Sequence, residues 1–150
     1  MVLETNALMA FIKQGTIEGI TLGCDYSRIV EEFGEAKLFA SRSPVYCRYG
    51  DLELGFTQED RLRHIGIEAA GGVAELPTGI GETKSISIPP LDELIRMIEV
   101  HVSPVVLCEP FVVGETWHRV ERSGVIINGD DEGGVDAINM SVLPPRPVGG

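Results

Sequence analysis

The sequence predicts an α+β fold: two tandem copies of a helix plus antiparallel β-hairpin module, forming one antiparallel sheet with the helices on one face. Three observations predict it. The helical stripe Tyr26, Ile29, Val30, Phe33 returns as Leu91, Leu94, Ile95, Ile98 at an offset of 65. The apolar positions Leu52, Leu54, Leu62, Ile65 and Ile67 return as Val125, Ile127, Val135, Ile138 and Met140 at an offset of 73. The order of elements is also the same in both stretches, a sign of an internal repeat. The change of offset places about eight extra residues in the second copy, most naturally in "EPFVVGETW".

Taken in order, Leu8, Phe11 and Ile12 fall at i, i+3, i+4, which predicts a short helix over 5–14 with Thr5 as cap and Gly15 as stop. In "CDYSRIVEEFGEA" Asp25 can cap a second helix, and Gly34 can supply the left-handed residue that closes it. Strand patterns follow at Val45–Tyr49, Leu52–Phe56 and Leu62–Ala69, separated by Gly50-Asp51 and the polar "TQED". The glycine-rich "AGGVAELPTGIGE" predicts a linker or surface loop over about 70–84. "SISIPP" is a short strand with a stop, the helix of Leu91–Ile98 follows, and strand patterns occupy Val105–Leu107, Trp117–Arg122, Val125–Asn128 and Val135–Val142. The tail 144–150, rich in proline and glycine, is expected to be flexible and outside the core. The expectation is therefore a single globular domain over 1–150, with repeats at about 20–69 and 86–142. Two such units joined edge to edge leave one sheet face open to water or to a partner.

A chain of 150 residues with 43% hydrophobic side chains can bury one core. Its formal charge of −11, from 23 acidic against 12 basic residues, argues against nucleic acid or an anionic membrane as partner, since both need dense Lys and Arg. A basic partner is easier to accommodate. "MVLETNALMAFIKQG" has no basic n-region, long apolar core or small-residue cleavage site, so a signal peptide is not expected. No apolar run approaches the roughly 20 residues of a membrane span. Cys24, Cys47 and Cys108 are odd in number and widely spaced, which fits neither a disulfide framework nor a zinc site; reduced thiols in a cytoplasm are expected.

No motif specifies catalysis, a cofactor or a metal. "GIGETKS" lacks the glycine immediately before the lysine that a phosphate-binding loop needs, and a strand pattern follows it instead of a helix. His64, His101 and His118 are far apart, and pairing Cys47 with His64 or Cys108 with His118 as nucleophile and base would need a suitable fold. Ser27, Ser123 and the other hydroxyls lack an elbow motif. In "NGDDEGG", Asp130, Asp131 and Glu132 offer oxygen ligands but not the alternation and closing Glu of a calcium loop; a solvated hairpin tip is the plainer account. Such a tip also suits a basic protein surface. Tyr46, Tyr49 and Trp117 are the candidates for an exposed aromatic platform, although a sole tryptophan is more often core.

The residues "LGCDYSRIVEEFGEA", "YGDLELGF" and "RLRHIGIE" carry a resemblance. The pattern of Leu-Gly, a short amphipathic helix ending in Phe-Gly and a Tyr-Gly-Asp hairpin resembles small bacterial immunity proteins, the partners of secreted or contact-delivered toxins. The tandem helix-plus-hairpin module is also similar to beta-lactamase inhibitor proteins and to BamE-type outer-membrane assembly lipoproteins. It covers about residues 20–69 and, more weakly, 86–142. A lipoprotein would need a lipobox cysteine behind a signal sequence, and a secreted inhibitor a signal and usually paired cysteines; none of these is expected from this sequence, so the cytoplasmic, immunity-like version is the expectation. The resemblance implies a non-enzymatic inhibitor of a basic protein toxin, with no cofactor. Tyr46, Tyr49, Glu115, Trp117, Asp130, Asp131 and Glu132 are its candidate partner-binding residues. The competing class is a small-molecule-binding or enzymatic domain using the cleft between the copies. The oligomeric state is left open by the sequence.

Overall fold

The computed structural model describes residues 2–38, 45–111 and 113–141. Helix α1 spans Val2–Gln14, α2 Tyr26–Phe33 and α3 Leu91–His101. Between and after them run β1 (Lys37–Leu38), β2 (Val45–Tyr49), β3 (Leu52–Phe56), β4 (Leu62–Glu68), β5 (Val73–Gly79), β6 (Glu82–Ser87), β7 (Val105–Cys108), β8 (Trp117–Val120), β9 (Ile126–Gly129) and β10 (Val135–Ser141). The result is an α+β protein with one large antiparallel sheet, ordered β1-β2-β3-β4-β10-β9-β8-β7, and a separate two-stranded sheet of β5 and β6.

Local chemistry accounts for the helices. Leu8, Phe11 and Ile12 of α1 are fully buried, and α1 ends at Gly15, whose φ of 72° suits a residue without a side chain while its N–H bonds to the Phe11 carbonyl. The helix starts at Val2, so Thr5 lies inside it and does not cap it. Asp25 does occupy the N-cap position of α2, but its carboxylate makes no capping bond. It faces Arg61 instead, Oδ1 to Nε 3.3 Å, while the Asp60 carbonyl accepts the N–H of Tyr26. A free helix N–H needs some acceptor, and here the backbone of the neighbouring turn provides it. Gly34 closes α2 with φ 85° and an N–H bond to Val30. The inward positions Ile29 and Phe33 of α2, and Leu94 and Ile98 of α3, are buried.

The strands alternate as a half-buried sheet requires. Leu52, Leu54, Leu62, Ile65 and Ile67 join Val125, Ile127, Val135 and Ile138 in one core cluster with the buried residues of all three helices, and Met140 packs against it half-buried. Each such side chain contributes about 1.5–3 kcal/mol of transfer free energy. The opposite face is read from the register: Arg48, Glu53, Gly66, Asn139, Ile126, Arg119 and Val106 lie side by side in one row across β2, β3, β4, β10, β9, β8 and β7. None of these residues belongs to the core cluster.

The register itself recurs. Glu53↔Gly66, Leu54↔Ile65, Gly55↔His64 and Phe56↔Leu62 join β3 to β4. Ile126↔Asn139, Ile127↔Ile138, Asn128↔Ala137 and Gly129↔Val135 join β9 to β10, each pair displaced by 73 and with the bulge at the same place.

The segment 70–84, expected to be a linker, is more ordered than glycine content suggested. It holds β5 and the start of β6, whose Ala74, Leu76 and Ile86 enter the core with period two, followed by Ile88 just after β6. The Gly50-Asp51 turn is bound to this hairpin from both sides: Asp51 N–H donates to the Glu75 carbonyl, and Glu75 N–H to Asp51 Oδ2, each at 2.7 Å. The predicted strand Trp117–Arg122 ends at Val120, because the turn that follows takes Glu121 and Arg122. The expectations for Val142 and for the tail 144–150 concern residues outside the described ones. Among the described residues no helix is long and apolar enough to cross a membrane.

Candidate functional site

Away from the helices, the sheet carries a half-open cleft of about 290 Å³ lined by Tyr46, Glu53, Arg63, His64, Phe111 and Ser141. Four devices of the sequence build it. Tyr46, Gly55, His64 and Ser141 form a single cross-strand row over β2, β3, β4 and β10. The bulge between β3 and β4 leaves Arg63 as the extra residue, and bulges of this kind re-aim a side chain; Arg63 lines the cleft beside His64. Glycine within a strand marks a close approach, and two glycines do so here. A Cβ on Gly55 would meet the Tyr46 ring at 2.8 Å, and one on Gly66 would meet His64 Nε2 at 2.8 Å. Both rings therefore lie down on the sheet. Finally, the segment that follows β7 brings Phe111 over the face, where its ring meets Trp117 edge-on at 5.3 Å between centroids.

Within the cleft, Ser141 Oγ and His64 Nδ1 are 2.6 Å apart, and Glu53 Oε1 is 3.9 Å from His64 Nε2. Burial lowers the His64 pKa; the Glu53 carboxylate opposes that shift and Arg63 reinforces it. The imidazole is thus held neutral near physiological pH. Next to it, Arg48 grips Glu68 through both nitrogens, Nη2 to Oε1 2.6 Å and Nη1 to Oε2 3.2 Å, and reaches Glu53 at 3.5 Å. That hydrogen-bonded pairing raises the Arg48 pKa and lowers that of Glu68.

The candidate partner-binding residues fall in four places. Tyr46 is in the cleft, half-buried. Tyr49, an odd number of residues along the same strand, points to the other face; its hydroxyl donates to the Gly34 carbonyl at 2.6 Å and its ring packs on Phe33. Burial raises its pKa, so it is part of the packing around α2 and no exposed platform. Trp117 is only 6% exposed, with its Nε1 donating to Glu115 Oε1 at 2.9 Å beneath Phe111. Asp130, Asp131 and Glu132 form the β9–β10 turn, exposed, beside the start of α3, where Leu91 N–H donates to the Gly133 carbonyl. Asp130 is a turn builder: its Oδ1 accepts the N–H groups of Glu132 and Gly134, both at 2.8 Å.

Other chemistry considered from the sequence is separated by the sheet. Cys47 lies in the core and His64 on the opposite face; Cys108 and His118 likewise point to opposite sides of β7 and β8, since Cys108 opposes Trp117. Ser123 is structural, donating to the Ile12 carbonyl at 2.6 Å. The Ser141–His64 pair is the constellation that sequence reasoning missed. The two residues are 77 apart and meet through the β4–β10 register; the available signal was the pair of strand glycines, Gly55 and Gly66.

No family model matches the chain, and no curated protein or solved structure is detectably similar to it.

Proposed function

We propose that this protein is a cytoplasmic, non-enzymatic inhibitor of the immunity type, which captures a basic protein toxin and blocks it. The observation that carries the reading is the acidic end of the molecule. Asp92 and Glu93 in the first turn of α3 sit beside the turn of Asp130, Asp131 and Glu132, joined by the Leu91–Gly133 bond. None of these carboxylates is in an ion pair among the described residues, so their charge is available to a partner. From 92 to 136 the chain has ten carboxylates against three arginines, most of its net charge of −11. Such a field speeds capture of a basic surface at low salt and is confined to about 8 Å at physiological ionic strength.

The same reading takes the chain as two copies of one module, about 20–69 and 86–142. Its support is the recurrence of register described above, and of the turns. Thr57 Oγ1 accepts the N–H of Glu59 and of Arg61, as Asp130 Oδ1 accepts those of Glu132 and Gly134. Tyr26 N–H bonds to Asp60 as Leu91 N–H bonds to Gly133.

The test is capture of partners from the native host with the tagged protein, followed by association kinetics with the purified partner at two salt concentrations. Neutralising Asp131 and Glu132, with Asp130 kept to build the turn, should slow association and flatten its salt dependence. An unchanged association rate would refute the electrostatic reading. Recovery of a tightly bound metabolite and no protein would favour a second reading, a small-molecule-binding or enzymatic domain. The observation in favour of that reading is the cleft itself, which lies where β4 of the first half meets β10 of the second.

A further inference from the structure

The geometry points to Ser141 as a nucleophile with His64 as its general base, in a cleft that accepts a small ester carrying a carboxylate. This inference rests on the second reading and names its chemistry. Ser141 Oγ is 2.6 Å from His64 Nδ1, within the distance that proton transfer to a base requires. The direction of that bond follows from the other side of the ring. Glu53, placed on β3 diagonally across from His64, sets its carboxylate 3.9 Å from Nε2 and favours the tautomer with the proton there. Nδ1 is then the acceptor and Ser141 the donor, the arrangement of a nucleophile activated by an adjacent base and oriented by a third group. Glu53 acts through His64 and is a positioning residue.

The lining sets the substrate. A cavity of about 290 Å³ is at the small end of ligand sites. Tyr46 and Phe111 offer ring surfaces for an apolar body. Arg63 makes no ion pair among the described residues and faces the same space, so it suits an anionic end group and the charge that develops on an acyl oxygen. In the step itself, Ser141 Oγ bonds to the acyl carbon as its proton passes to Nδ1. The ester bond then breaks, and the leaving alcohol takes that proton. Water repeats the sequence, releasing the acid and restoring the serine.

Four measurements test this on the full chain. Wild type is treated with phenylmethylsulfonyl fluoride and the modified peptide located by mass spectrometry; turnover of 4-nitrophenyl hemisuccinate is compared with Ser141→Ala and His64→Gln. An adduct on Ser141, and turnover about a hundredfold above both variants, are expected. Glu53→Gln should move the acid limb of the pH profile to lower pH, because Glu53 raises the pKa of His64. The other charged group acting on that ring is Arg63, and the residues facing it from β2 and β10 are Tyr46 and Ser141. Binding of phenylacetate is followed in parallel through Trp117 fluorescence, since Phe111 touches both that ring and the cleft. No adduct and turnover equal to Ser141→Ala would overturn the nucleophile. If phenylacetate still binds in that case, the ligand-cleft reading survives; if it does not, both fall.

Discussion

Gly66 and His64 should be energetically coupled, and the coupling can be worked from the geometry. An alanine at 66 places its methyl carbon 2.8 Å from His64 Nε2 and 3.0 Å from Asn139 Oδ1, both inside normal contact. The backbone there is outside the left-handed region, so alanine adopts it without strain and gains about 0.4–1 kcal/mol from a stiffer unfolded chain. Against this stands the overpacking cost, about 1–3 kcal/mol where neighbours cannot yield. His64 yields poorly because Ser141 holds its other nitrogen at 2.6 Å. Gly66→Ala should therefore destabilise the wild type by about 0.5–2 kcal/mol, the difference of the two terms. In a His64→Ala background most of the clash is gone, and the same substitution should be neutral or stabilising. Urea unfolding of the four proteins, read by the buried Trp117, gives a coupling of about 1–2 kcal/mol if this is right. Equal losses in both backgrounds would refute the account of His64 lying flat on Gly66.

Other outcomes follow from the same geometry. Gly50→Ala should cost about 2–4 kcal/mol in urea unfolding, because φ is 61° and the new Cβ would lie 2.6 Å from the Glu75 carbonyl oxygen, which is backbone and cannot move aside. His64 has a folded-state pKa below its ordinary 6.5, so the unfolded chain binds more protons; its contribution is full above 6.5 and is lost as pH falls through the folded value. Stability measured from pH 7.5 down to 5 should fall, with a smaller slope in His64→Gln. Glu68, lowered by its bond to Arg48, has the same sign at more acid pH, beginning below its ordinary 4.5, and Arg48→Ala should remove that part. The Cys47 thiol, pushed up to about 12 by burial, should react with a disulfide reagent only on unfolding, whereas the partly exposed Cys24 and Cys108 should react in the native protein.

Much of the fold was legible because its patterns are local. The stripe Tyr26, Ile29, Val30, Phe33 and the alternation in Leu52–Phe56 are set by periods of 3.6 and two, and β2 and β3 occur where those periods place them. The hairpin of β5 and β6 was obscured because its two strands are flanked by glycines and broken by Pro77, so its inward Ala74, Leu76 and Ile86 were masked by turn signals. The site was less legible. Tyr46 and Tyr49 read alike as aromatics, yet a separation of three puts them on opposite faces, a consequence that strand period alone supplies. Ser141 and His64 meet through a register between distant strands, which depends on the packing of the whole sheet and leaves no local mark.

The central seam of the sheet has a bearing on how the chain is made. Ile67 pairs with Ile138, so the middle of the sheet is the part whose partners are most separated in sequence, while its flanks are local hairpins. At about 5–20 residues per second, several seconds pass between emergence of β4 and of β10 from a ribosome. During that interval β4 is an open edge with Leu62, Ile65 and Ile67 on one side, the kind of strand that recruits wrong partners. Its other side carries His64 and Glu68 around Gly66, with Arg63 at the bulge. Charge, a bulge and a glycine are the means by which edges are kept from pairing. The residues that shape the cleft in the finished protein therefore also guard the nascent strand, and replacing Arg63 and Glu68 by valine should raise aggregation during synthesis more than it changes the stability of the folded chain.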